Sequence, residues 1–237
     1  MSAPVTMDSR QIQREILDEL PADDPRAIQS RRDLQKVNTC MGHPAMVAHE
    51  LGAASTPPRV VVELGAGDGT FLLRVAKRLR HRPRVRALLV DRRPSLSGAT
   101  RKGFAAAGWD VDMCESDVFE WLSRPSPQTA DATVANLFLH HFREGELARL
   151  LTLASRQTTR FIACEPRRSR IARRGASLLR LIGCNEVTMH DADVSVRAGF
   201  RDSELSVLWP SDAGWRLSER RAGLFSHRFV AHHAHAV

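Results

Sequence analysis

The sequence predicts an α/β fold, a mostly parallel sheet with helices on both faces. Three observations carry this. After residue 58, short apolar runs rich in Val, Ile and Leu alternate with stretches of helical periodicity. The apolar runs are nearly continuous, as in parallel strands covered on both faces, and do not alternate with polar residues. The first run, VVVEL (60–64), exits into GAGDG, with a glycine at every second position.

Each element follows in order. Residues 1–56 read as an N-terminal helical lid segment, and Pro57-Pro58 punctuates its end. Residues 57–237 read as the domain it covers, so the chain has a single domain overall. VVVEL is the first strand. TFLLRVAKRLRH (70–81) is an amphipathic helix with Phe71, Leu72, Val75 and Leu79 at helical spacing. VRALLVD (85–91) is the second strand, and PSLSGATRKGFAAAG (94–108) a helix closed by Gly108. WDVDMCESD (109–117) is the third strand region, followed by the short helix VFEWL. ADATVANLFLHHF (130–142) is the fourth strand with its exit loop, and REGELARLLTLASRQ a helix. RFIACEP (160–166) is the fifth strand, stopped by Pro166. SRIARRGASLLRLIG is a helix, followed by a polar stretch through Gly199 and the helix RDSELSVLWP. WRLSE and SHRFVAHHA close the sheet as a pair, making seven strands. Residues 167–200 are thus an insertion between strands five and six, placed to enclose a small molecule.

Composition bounds the function. A chain of 237 residues, 43% hydrophobic, is long enough for one α/β domain with a real core. No apolar run reaches the length of a bilayer span. The segment MSAPVTMDSRQIQREILDEL lacks the apolar stretch of a signal peptide, so a cytoplasmic location without a membrane partner is expected. Cys40, Cys114, Cys164 and Cys184 are far apart and form no CxxC; they read as reduced small hydrophobes. The net charge is +8, but the arginines are spread along the chain, whereas a nucleic-acid footprint is a patch. No nucleic-acid partner is expected.

Glycines at a strand exit permit a tight turn and let backbone approach a ligand closely. The spacing here is GxGxG, not the GxGxxG of dinucleotide sites. Glu63 precedes the glycines, where an acid would repel a pyrophosphate and suit a ligand with an ammonium group. Asp91 then closes the second strand, Asp117 the third, and Asn136 the fourth.

In this order the motifs resemble class I S-adenosylmethionine-dependent methyltransferases over roughly residues 30–232, and the fold expected is Rossmann-like. The resemblance implies S-adenosyl-L-methionine as cofactor. It implies that Glu63, Gly65, Ala66 and Gly67 hold the methionine end, and that Asp91, with Arg92 beside it, accepts from both ribose hydroxyls. It also places Asp117 and Val118 at the adenine edge and Asn136 near the transferable methyl.

Transfer to a hydroxyl needs alignment and a base. The candidate catalytic residues are His140 and His141 after the fourth strand, and His190 in MHDAD with Asp191 beside it. His43 in MGHP is a further histidine, in the lid. His232, His233 and His235 read as a frayed polar tail. No metal site is expected, Asp131 lying at the wrong end of the fourth strand. The segments MGHPAMVAHEL, EPRRS and VTMHDADVSVRAGFRDSEL are similar to bacterial methyltransferases among polyketide tailoring enzymes. That similarity implies O-methylation of a phenolic or quinone hydroxyl on a small, largely apolar acceptor. The rivals are C-methylation of a similar molecule, RNA methylation, and a non-catalytic binding protein of the same fold. The (N/D)PP(Y/F) tetrapeptide of amine methylation is replaced by NLFLHH. Cys164 precedes Glu165-Pro166, so the prolyl-cysteine of cytosine C5 enzymes is absent. A monomer or homodimer is expected.

Overall fold

The computed structural model describes residues 9–21, 23–54, 56–79, 84–125, 129–211 and 214–233. Three helices come first: α1 (Ile16–Glu19), α2 (Pro25–Cys40) and α3 (His43–Gly52). The strands are β1 (Val60–Leu64), β2 (Val85–Asp91), β3 (Trp109–Glu115), β4 (Ala132–Asn136), β5 (Arg160–Pro166), β6 (Trp215–Ala222) and β7 (Ser226–His233). Between them lie α4 (Thr70–Arg78), α5 (Gly98–Ala106), α6 (Val118–Ser123), α7 (Glu144–Ser155), α8 (Arg170–Ser177), α9 (Glu186–Ala198) and α10 (Glu204–Leu208).

They form one seven-stranded sheet in the order β3-β2-β1-β4-β5-β7-β6. β1 to β5 pair in parallel, while β7 runs antiparallel to both β5 and β6. Strand order reverses between β1 and β4, and ligands of open α/β sheets bind at the carboxyl ends of the strands at such a reversal. Two apolar clusters lie on the two faces. One joins Leu72, Val75, Phe104 and Leu51 to Val61, Leu89 and Ile162; the other joins Leu147, Leu150 and Trp209 to Val62, Phe161 and Phe229.

Caps explain where helices begin. Asp24 accepts from the Arg26 N–H with Pro25 at the first position of α2. The expected helix 94–108 starts only at Gly98, because Ser97 accepts from the Thr100 N–H and fixes the N-cap there. The helix expected over 70–81 is described to Arg78; residues 80 and 81 lie outside the described set. SRIARRGASLLRLIG breaks into α8 and a 3-10 segment, Leu178–Ile182, ended by Gly183 at φ 76°.

Two expectations are corrected. The polar stretch before Gly199 is α9, capped by Asn185, which accepts from the Thr188 N–H. Its buried Val187, Asp191, Val194 and Ala198 recur at helical spacing. The acid within the stripe masks the period. His232 and His233 belong to β7, where they pair with Arg160, Arg216 and Trp215, so the chain is in a strand there. His235 lies outside the described residues.

Candidate active site

The glycine loop follows β1 directly. Gly65, Gly67 and Gly69 have φ of 69°, 55° and 70°, the left-handed region that side chains disfavour. The N–H groups of Gly65 and Ala66 donate to the Val90 carbonyl at 2.9 and 3.2 Å, tying the loop to β2. A Cβ on Gly65 would stand 2.2 Å from the Phe138 ring, whereas one on Gly67 would meet nothing within 4 Å. Gly67 therefore offers bare backbone to an open space.

Asp91 organises the loop. It accepts from the Gly67 N–H at 2.8 Å on Oδ2 and from the Arg93 N–H at 2.7 Å on Oδ1, and each oxygen retains a further lone pair. Arg92, its neighbour, is exposed. Glu63 is fully buried in β1, and its Oε2 has no partner. Burial, then the charges of Asp68 and Asp91, raise its pKa well above the ordinary carboxylate range. A buried acid with an orphaned oxygen at the head of a glycine loop fits a cationic ligand group.

Asp117 is the N-cap of α6, spending Oδ1 on the N–H groups of Phe119 and Glu120. Val118 is the buried first residue of that helix, and Ser116 donates its N–H to the Asp91 carbonyl. These residues thus line one rim, from the ends of β1, β2 and β3. The Asn136 side chain does something else. Its Oδ1 accepts from His43 Nδ1 at 2.7 Å and its Nδ2 donates to Asn38 at 3.2 Å.

The lid closes over the same rim. On α2, Gln35 donates to Asp68 of the glycine loop at 3.0 Å, and Asn38 holds Asn136. His43 is buried, and burial lowers its pKa to about 4, so it is neutral. Both its nitrogens are occupied, by Asn136 and by the Ser226 hydroxyl, so it can serve as a pin but not as a proton acceptor. Asp33 on α2 takes the Asn185 N–H and anchors the lid to the start of α9.

His140 and His141 lie in a 3-10 turn, Leu139–His141. Leu137, at φ 51°, turns the chain so that the N–H groups of Phe138 and Leu139 donate to Glu165 Oε1 at 3.0 and 2.9 Å. His140 is 3% exposed and donates from Nδ1 to Glu165 at 2.7 Å and from Nε2 to Glu15 at 3.4 Å. Burial opposes its charge, but the bonds to Glu15 and Glu165 and their charges lift its pKa to about 9. Burial likewise opposes ionisation of Glu15, and the His140 bond with the charges of His141 and His140 hold it at about 2. His140 is thus an imidazolium between two carboxylates.

His141 is half-buried, with its ring centroid 4.3 Å from that of His140. Burial, then the positive His140, hold its pKa below the ordinary value, so it is neutral near physiological pH. His190 is half-exposed on α9 and bonds Asp191 at 3.1 Å. Asp191 is spent on the N–H groups of Ile16 and Leu17, which fixes α1 beside the histidines.

Glu15, His140 and His141 bring ligand atoms within 4.8 Å of one another, a donor set suited to a divalent metal. The proton shared by His140 already supplies positive charge there. Glu15 is 125 residues from His140, so nothing local in the sequence marks it. Glu165, Gln35 and Asn38 are equally unmarked, although Gln35 and Asn38 share one face of α2 by their spacing of three.

The comparisons with known proteins agree with this architecture. The family described as "Methyltransferase domain" matches residues 61–160. An O-methyltransferase family protein from Burkholderia thailandensis superposes with TM-score 0.57 at 19% identity, over 90% of this chain and 61% of that one. The plantazolicin methyltransferase BamL, in complex with a triazolic desmethylPZN analog and SAH, gives 0.64 at 9% identity, over 89% and 92%. The dimethyltransferase RosA from Streptomyces davawensis gives 0.58 at 16%, over 93% and 62%. The chain therefore spans about three fifths of the Burkholderia and Streptomyces proteins and nine tenths of BamL. Comparison with curated proteins finds no sequence match. The matched segment holds the glycine loop, Asp91, Asp117 and the paired histidines, and over these residues the chain is similar to a methyltransferase domain.

Proposed function

We propose that the chain transfers a methyl group from S-adenosylmethionine to a hydroxyl on a small, largely apolar acceptor, with His141 as the proton acceptor. The observation that carries this reading is the contrast within the histidine pair. His140 keeps its proton, while His141, packed against it, is neutral and free to take one.

The cofactor supplies an electrophilic methyl on a sulfonium. Glu63 and the open face of Gly67 are assigned to its amino-acid end, Asp91 to its ribose and Asp117 to its adenine. Asn136 ties the lid to the end of β4 and contributes by closing the site. A phenol, with a pKa near about 10, is a poor nucleophile until its proton is removed. His141 removes it; Glu15 and Asp18 nearby favour the imidazolium that forms. His140 holds Glu15 and, through it, the start of the lid. His190 is assigned to the wall with Asp191.

A small acceptor is supported by the way the lid and α9 enclose the histidines, Glu15 bonding His140 and Ser195 while Asp191 takes the N–H groups of Ile16 and Leu17. Small-molecule tailoring names also recur among the similar structures, RosA and the mitomycin 7-O-methyltransferase MmcR included. The test is mass spectrometry of products from a methyl-labelled cofactor and a panel of phenols, quinones and RNA. The expected label is on an acceptor oxygen. Label on ring carbon or on RNA overturns the reading.

A further inference from the structure

The insertion after β5 has two faces. Its inner helix, α9, carries Asp191 and Ser195 to the N-terminal lid, through Ile16, Leu17 and Glu15. Its outer helix, α8, packs on α9 through the buried Ala172 and Ala176 and turns larger apolar residues outward. Ile171, Leu178 and Leu181 are 54%, 58% and 77% exposed. Phe225, from the turn between β6 and β7, lies over Gly175, where a Cβ would come within 2.5 Å of its ring. Leu224 beside it is 59% exposed. Ile171 and Gly175, four apart on α8, share a face, so Phe225 over Gly175 adjoins Ile171, and Leu178 follows three positions on at the start of the 3-10 segment.

Arginines flank the strip. Arg170, Arg174 and Arg180 are exposed, and no carboxylate among the described residues pairs with them. Among the described residues, the acid that pairs with an arginine of α8 is Asp193 of α9, which takes Arg173 and also Arg197 of its own helix. An apolar stripe bordered by unpaired cations is the pattern of a helix that lies in the headgroup region of an anionic bilayer. A second copy of the chain fits worse: a twofold interface sets each patch against its own equivalent, arginines included.

We propose that the outer face of α8 and of the 3-10 segment Leu178–Ile182, with the Leu224–Phe225 turn, docks the protein on anionic membrane surfaces. No helix among the described residues is long and apolar enough to cross a membrane, but a peripheral surface needs no such helix. The face lies at the carboxyl edge of the sheet, directly after β5, on the outer side of the element that covers the histidines. An apolar acceptor could then pass from lipid to the site. That consequence rests on the proposed acceptor, whereas the docking does not.

The test is co-sedimentation of the full chain with extruded vesicles of phosphatidylcholine alone, or with about 30% phosphatidylglycerol. Binding is expected to the anionic vesicles only, and release by about 0.5 M salt. Arg174→Glu/Arg180→Glu and Leu178→Ser/Leu181→Ser should each weaken partitioning at least about tenfold. These positions are exposed, so circular dichroism and calorimetric affinity for S-adenosylmethionine should be unchanged. Absence of binding to anionic vesicles overturns the proposal, as does binding indifferent to both double variants. Retention of short RNA in place of vesicles, or a dimer that Leu178→Ser/Leu181→Ser disperses, also overturns it. The vesicle readout involves no methyl transfer, so its failure is distinct from failure of the proposed reaction.

Discussion

Replacing His140 with Gln should remove a pH-dependent part of the stability whose size follows from its setting. The ordinary histidine value of 6.5 is lifted to about 9 by Glu15 and Glu165 against the cost of burial. A raised folded-state pKa stabilises fully below the unfolded value and loses that contribution as pH rises through the folded one. With these two values the contribution is about 2–3 kcal/mol near pH 7 and well under about 1 kcal/mol near pH 9. The gap between wild type and His140→Gln should therefore shrink by about 2 kcal/mol across that interval. For a chain of this length that is about 4–8 °C in melting temperature. A constant offset remains, because the variant leaves Glu15 and Glu165 buried without their cation. Urea unfolding of both proteins in a series of buffers measures the gap. A gap that stays constant from about pH 7 to 9.5 would refute the imidazolium assignment.

Three further outcomes are expected. His141→Gln should lower turnover at least about tenfold while leaving cofactor affinity unchanged, and wild-type turnover should level off before about pH 7 because the His141 pKa lies below the ordinary 6.5; a normal rate in the variant removes the base. Glu63→Gln should leave the free protein at least as stable near neutral pH, since burial disfavours the Glu63 charge, yet weaken cofactor binding by calorimetry; lost stability with intact affinity would contradict the assignment. Gly65→Ala combines φ 69° with a Phe138 collision at 2.2 Å and should cost about 1–3 kcal/mol in thermal unfolding, where an unchanged melting curve counts against the loop geometry.

The glycine-loop half of the candidate site is legible in the sequence because it is local. Glu63, the glycines and Asp91 each stand at a strand end, and the parallel register of β1 with β2 brings them together. The same periodicity places all seven strands. It misses α9, where Asp191 interrupts the apolar stripe to cap α1, a partner 175 residues away. The histidine pair shows the limit most clearly. His140 and His141 are adjacent and chemically identical, yet one is charged and one neutral. The difference is made by Glu15 and Glu165, which reach His140 from 125 residues before it and 25 residues after it. Likewise MGHP places His43 in the lid but not its pinning by Asn136 and Ser226, which depends on the order of β4 and β7 in the sheet.

Calorimetric titration of the protein with S-adenosylmethionine and with NAD tests the central claim most directly. The account predicts binding of S-adenosylmethionine and none of NAD, whose pyrophosphate would meet Glu63 and Asp68 at the glycine loop. Asp91→Ala, which removes a carboxylate accepting on both oxygens, should weaken the cofactor by about 1.5–3 kcal/mol, roughly tenfold or more. NAD binding without S-adenosylmethionine binding, or wild-type affinity in Asp91→Ala, would contradict it.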